Sequence, residues 1–144
     1  VSRQDLMDER GSSTLELAIM APVIIALLLM LIAFGRTATA TSHVDGAAFA
    51  TARAASIERS SAAADTAASA TARDYLDQRG LTCDPQVVDV DTTGFARAVG
   101  ERAEVAVTIS CTVPMREVTG VLPFGTRTFT ATAVSPIDSY RGAP

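Results

Sequence analysis

The sequence is poor in the side chains that most enzyme chemistry needs. It contains one histidine, His43, and two cysteines, Cys83 and Cys111, among 144 residues. Those residues cannot complete the four-ligand site that zinc usually takes. The cysteines lack C-x-x-C spacing and have no activating base near them in sequence, which argues against a redox or nucleophilic role. No glycine-rich phosphate loop is present. His43 stands in a helical pattern without an evident carboxylate–nucleophile arrangement and is expected on a helix surface. No catalytic residue, cofactor, metal or small-molecule substrate is therefore assigned, and the protein is not expected to be an enzyme. Aromatic residues make up only 5% of the chain, so a large aromatic core is excluded. There is no basic block and the formal net charge is −4, which argues against nucleic acid as a partner.

What the chain does have is one long apolar run. Leu17 to Phe34 is 18 residues without a charge. At about 1.5 Å per residue it nearly covers the ~30 Å hydrocarbon thickness of a bilayer. Glu16 stands at its mouth, where a carboxylate is costly unless it has a function. Pro22 lies inside the run and removes one helical hydrogen bond, which membrane helices tolerate. Arg36 follows and can snorkel to the interface. Three readings fit this N-terminus. It can be a plain signal anchor. It can be a secretory signal peptide cut after Ala38-Thr39-Ala40, although the apolar run is longer than usual for one. It can be a membrane helix trimmed after Gly11, ahead of the apolar run.

The third reading gains from a resemblance. Gly11, Glu16 five positions later and the apolar helix beyond them resemble a type IV prepilin N-terminus. The fuller string, Glu9-Arg-Gly-Ser-Ser-Thr-Leu-Glu16-Leu-Ala-Ile-Met-Ala-Pro22 through Phe34-Gly-Arg36, resembles TadE-like proteins. These are minor pseudopilins of the tight-adherence (Tad/Flp) pilus system. The C-terminal pattern, ending in Phe129-Thr-Ala-Thr-Ala-Val134 and an Arg-Gly tail, is also similar. The resemblance implies that a prepilin peptidase cuts between Gly11 and Ser12, leaving Ser12 as the new N-terminus and Glu16 as the fifth residue. It also implies other pilins and Tad assembly proteins as partners. Ser12, Ser13 and Thr14 depart from the bulky apolar start of major pilins. On physical grounds a freed α-amine on Ser12 can answer the Glu16 of a neighbour, because a paired carboxylate in low dielectric is penalised far less than a lone one. The bland alternative is that Glu16 snorkels or stabilises its own helix N-terminus. Glu16, Ser12 and Pro22 are the docking candidates.

From Arg36 to Arg79 the chain is rich in Ala, Ser and Thr and has no proline. Alanine is the best helix former, and Gly80 is a good stop signal. The pattern predicts one nearly continuous helix from about Ser12 to Arg79, on the order of 100 Å long. Its small residues would permit close approach of a partner helix, or would form a spacer with no partner. Tyr75 and Leu76 are expected to pack on the domain that follows.

That domain reads as β. Val105, Val107, Ile109, Cys111 and Val113 alternate with small polar residues, as do Phe129, Ala131 and Ala133 with Thr128, Thr130 and Thr132. Gln86 to Asp91 is a shorter strand. The fold class is α+β: a long N-terminal helix packed at its C-terminal end on a small three-stranded antiparallel sheet, in the manner of a pilin. If opposed residues of the first two strands sum to 194, Val87 faces Val107 and Cys83 meets Cys111, with Asp89 a misfit opposite Val105. A Cys83–Cys111 disulfide is then expected, the alternative being two buried thiols. The side bearing both cysteines is placed outside the cytoplasm, where a disulfide persists. Pro114 to Thr126 is an apolar connection in which Val118, Val121, Leu122 and Phe124 either cover the core or present a partner surface. The tail from Ser135 is expected to fray.

The domains expected are a leader at 1–11, the transmembrane part of the helix at 12–35, an extracytoplasmic Ala-rich stalk at 36–80 and a β domain at 81–144. The functional expectation is a minor pilin, a structural subunit held in the bacterial cytoplasmic membrane by a single pass with its N-terminus inside. The alternative is a single-pass envelope protein whose β domain binds an extracellular ligand.

Overall fold

Alternating valines and threonines build the β half of the molecule as the sequence predicts. The structure, a computed structural model, describes residues 5–120 and 125–140. Strands β1 (Gln86–Asp91), β2 (Ala103–Pro114) and β3 (Thr126–Ile137) form one antiparallel sheet in the order β1-β2-β3. One face carries Val105, Val107, Ile109, Cys111 and Val113 from β2 with Phe129, Ala131 and Ala133 from β3, and all are buried. On the other face cross-strand hydroxyl pairs form between Thr108 and Thr132 (2.9 Å), Ser110 and Thr130 (3.1 Å), and Thr112 and Thr128 (2.8 Å). Threonine suits such a surface because its branched carbon fits the pleat while its hydroxyl pairs across strands.

The helical half differs from the single rod. Helix α1 runs Asp5–Ser56 and is 52 residues long, about 78 Å at 1.5 Å per residue. It then stops, and α2 (Ser61–Gln78) folds back along it. The restart is capped by Ser60, whose backbone is extended and whose Oγ accepts the N–H of Ala63 at 3.3 Å. The reason for the fold-back is a stripe of small residues. Ala64, Ala68, Ala72 and Leu76 recur at every fourth position of α2, one helix face, and are buried. They pack with Val44, Ala47, Ala48 and Ala55 of α1 in one core. A straight helix would leave both stripes in water. The small-residue surface thus finds its partner within the chain. The far end of α2 closes as predicted: Gly80 takes a left-handed φ of +70°, and the N–H of Leu81 donates to the Leu76 carbonyl at 3.1 Å.

The sheet packs its buried face on the second half of α1, so hairpin and sheet share a single core that runs from Ala40 to Ile137. Leu76 enters that core, whereas Tyr75 lies against α1, where a Cβ on Gly46 would collide with its hydroxyl. Gly94 makes the other close approach: a Cβ there would strike the Glu104 carbonyl oxygen. The expected fraying from Ser135 is not what the described residues show. Ser135, Pro136 and Ile137 complete β3, Ile137 is buried, and the Ser135 hydroxyl donates to Ser56 Oγ at 2.9 Å.

The β1–β2 register also needs correction. Opposed residues sum to 197, not 194: Val88 faces Ile109, Asp89 faces Thr108 and Val90 faces Val107. An odd shift exchanges the two faces of a strand. Val88 and Val90 therefore turn toward the core, Val87 turns to solvent and Asp89 sits on the hydroxyl face. The misfit that the other register needed a bulge to absorb disappears. Cys83 lies before β1 and reaches Cys111 from the loop. That loop is held by two backbone hydrogen bonds, Asp84 N–H to the Thr112 carbonyl at 2.7 Å and Thr112 N–H to the Pro85 carbonyl at 3.2 Å.

Candidate functional site

Among the described residues nothing is packed over the apolar part of α1. Every residue from Glu16 to Ile32 is exposed, including Leu17, Ile24, Leu28 and Leu31, and the first buried core residue is Ala40. Apolar side chains on every side of a helix are stable only in an apolar surround. The helix is long and apolar enough to cross a membrane. Its flanking charges, Glu16 and Arg36, stand 20 residues apart with none between. On a helix this is about 30 Å, the thickness of the hydrocarbon layer. Pro22 sits inside α1 without ending it.

After the apolar run the helix surface becomes hydroxylated. Thr37, Thr39, Thr41 and Ser42 each donate to the carbonyl four residues earlier, at 2.9–3.1 Å. These bonds satisfy the hydroxyls locally where the helix leaves its apolar stretch. The base of the globular part meets α1 at this level. It is formed by a short helix α3 (Met115–Thr119), the end of β2 and the start of β3. Arg36 reaches Gly120, which caps α3 with a φ of +70°. Arg79 stacks on Tyr75 at 4.4 Å and its Nη1 lies 3.4 Å from His43 Nδ1, where a guanidinium can only donate. His43 is thus half-buried beside Arg79 rather than free on the helix surface.

The candidate residues separate into distinct places. Glu16 and Pro22 lie on the exposed apolar half of α1, and Gly11 and Ser12 fall within the backbone of its first turns. Cys83 and Cys111 are joined as a disulfide near the base, their Cα atoms 5.0 Å apart. Val118 is 4% exposed and packs into the core, so it is not available as a partner surface. Val121, Leu122 and Phe124 lie outside the described residues. Sequence reasoning missed the arginines that gather at the base, because Arg36, Arg79, Arg116 and Arg127 are scattered along the chain and no local pattern joins them. At the opposite end, Asp91 has a carboxyl held below the ordinary aspartate range by its hydrogen bonds to Thr93, one of them from the backbone N–H at 3.0 Å. No group of three or more His, Cys, Asp or Glu able to hold a metal ion occurs among the described residues.

The chain matches no curated protein and no solved structure. One family model does match, over residues 11–53. The match starts at Gly11, takes in Glu16 and the whole apolar run, and ends three residues before α1 does. Its description is TadE-like protein, and it is to this TadE-like family that the N-terminal part of the chain is similar.

Proposed function

We propose that this protein is a minor pilin or pseudopilin of a Tad-type pilus: a structural subunit stored in the membrane, trimmed after Gly11 and passed into the assembly through its N-terminal helix. The single observation that carries the reading is the TadE-like match over the segment with Gly11, Glu16 and a membrane-length exposed helix. The TadE-like family is associated with Tad pili, and no enzymatic activity is attached to it. In this reading residues 1–11 are the leader, 12–35 the membrane helix, and 36–144 a head outside the cytoplasm.

Each step has a physical basis in the chain. The Gly11–Ser12 bond lies in a stretch, Gly-Ser-Ser-Thr, whose members are all weaker helix formers than alanine, glycine by about 1 kcal/mol. Such a turn unwinds readily to enter a peptidase. Cutting there frees an ammonium on Ser12. When one subunit's ammonium meets the next subunit's Glu16 in a dry interface, each supplies the other's missing counter-charge, and the axial register is set. Removing one partner of a buried pair costs roughly 3–5 kcal/mol. The head supplies no competing charge along this part of the helix, because its core begins at Ala40.

The test is Glu16→Ala in cells that make the pilus. Cleavage and membrane insertion should persist, while the amount of the variant recovered in sheared pilus material falls at least tenfold. Normal recovery of Glu16→Ala would remove the electrostatic role.

A further inference from the structure

We propose that the angle between α1 and the base of the head is a binding site for one anionic membrane phospholipid. The inference rests on the reading of Leu17–Phe34 as the membrane span. A groove opens where helix and head meet, lined by Met30, Phe34, Thr37 and Ala38 of α1 and by Met115 and Arg127 of the head. Its lower wall is continuous with the exposed apolar surface that faces lipid tails, since Met30 and Phe34 are 56% and 61% exposed. Its upper wall carries a guanidinium. Arg127 is exposed, lies 5.5 Å from the Phe129 ring, and has no carboxylate partner among the described residues. An apolar slot leading up to a lone guanidinium matches the order of groups along a phospholipid, with acyl chain below and phosphate above. Arginine suits the phosphate end because its fork of donors pairs with phosphate oxygens bidentately.

Charge across the head points the same way. The base carries Arg36, Arg79, Arg116 and Arg127 against Asp77, Asp84 and Glu117, whereas the other end carries Glu58, Asp91, Glu101, Glu104 and Asp138 against Arg53, Arg59, Arg97 and Arg102. A head that is acidic as a whole thus turns its one slightly cationic end to the bilayer. The second groove, on the other side of α1, is also edged with arginine, by Arg36 and Arg79, but Glu117 shares it. The Arg127 groove is the better phosphate site.

The experiment uses the full chain, extracted from membranes in mild detergent and exposed to an equal mixture of phosphatidylglycerol and phosphatidylcholine with matched chains. Native mass spectrometry then reads the adducts. The site predicts one tightly retained phosphatidylglycerol, preferred over phosphatidylcholine. Arg127→Gln should lower that preference about fivefold, the weight of one arginine near an anionic surface. Arg53→Gln, on the last turn of α1, should leave it unchanged. Equal retention of the two lipids by the unaltered protein, or an unchanged preference in Arg127→Gln, would overturn the site. Alkaline extraction of the membranes is read in parallel. Release of the protein there would overturn the span and the lipid site together, whereas retention without lipid preference would overturn the lipid site alone.

Discussion

Removing the disulfide should cost the head a large share of its stability. Cys83 and Cys111 are 28 residues apart in sequence. On the chain-entropy model a cross-link closing a loop of that length removes about 12 cal/mol/K from the unfolded chain, or about 3.6 kcal/mol at 25 °C. The figure matters because the core is built of small residues. Its largest fully buried side chains are Leu76, Ile109 and several valines, with five alanines of α1 and three of α2 filling much of the rest. Marginal stabilities of about 5–15 kcal/mol leave little room for such a loss. Cys83→Ala/Cys111→Ala is the right variant, since Cys111 is fully buried and a serine there would add an unsatisfied hydroxyl. Tyr75, wedged on Gly46 between the two helices, is a natural probe. Silencing the other tyrosine with Tyr140→Phe lets urea unfolding of the full chain in mild detergent be followed by Tyr75 fluorescence. A loss of about 3–4 kcal/mol is expected, and reduction of the unaltered protein should reproduce it. A loss under about 1 kcal/mol would refute the reasoning, because the loop between β1 and β2 would then already be constrained in the unfolded chain.

Other outcomes follow from single contacts. Gly46→Ala should destabilise by about 1–3 kcal/mol through its collision with the Tyr75 hydroxyl, and pairing it with Tyr75→Phe should recover part of the loss, read in the same urea titration. Thr51 is completely buried with no hydrogen-bond partner for its Oγ1, so the near-isosteric Thr51→Val should raise stability by about 1 kcal/mol. Asp91 should titrate below the ordinary aspartate range by NMR, and Thr93→Ala should move its midpoint upward. Because its folded pKa is depressed, its contribution is present above the unfolded value and lost as the pH falls through the folded one. A midpoint at or above the ordinary value would remove that contribution.

The strands and the apolar helix were legible because each carries a strong periodic or compositional signal. The alternation from Val105 to Val113 and from Phe129 to Ala133 marks the inner face of β2 and β3, and those residues are buried. The apolar run marks a stretch of helix in which no described residue is buried. The break between α1 and α2 was hidden for a physical reason: Ile57 to Ser60 contains neither glycine nor proline, and only the Ser60 cap signals a new start. An alanine stripe at every fourth position is also weak evidence in sequence, since alanine is common on both exposed and buried helix faces. The register of β1 was misjudged because Val87, Val88 and Val90 offer apolar residues to both faces. Requiring the cysteines to oppose each other directly then chose the wrong one. A disulfide can instead be made from a loop, as Cys83 does. The arginine-edged groove at the base joins residues 30 and 127, and only the folded chain brings them together.

The central claim is that the N-terminal helix is trimmed before it docks. Intact mass of the protein extracted from membranes of cells with an active prepilin peptidase tests it directly. The account predicts a mass lower by the residues Val1 to Gly11, with Ser12 leading the chain, and no such loss in a Gly11→Val variant. A full-length mass for the unaltered protein in peptidase-positive cells, with the pilus still assembling, would contradict it.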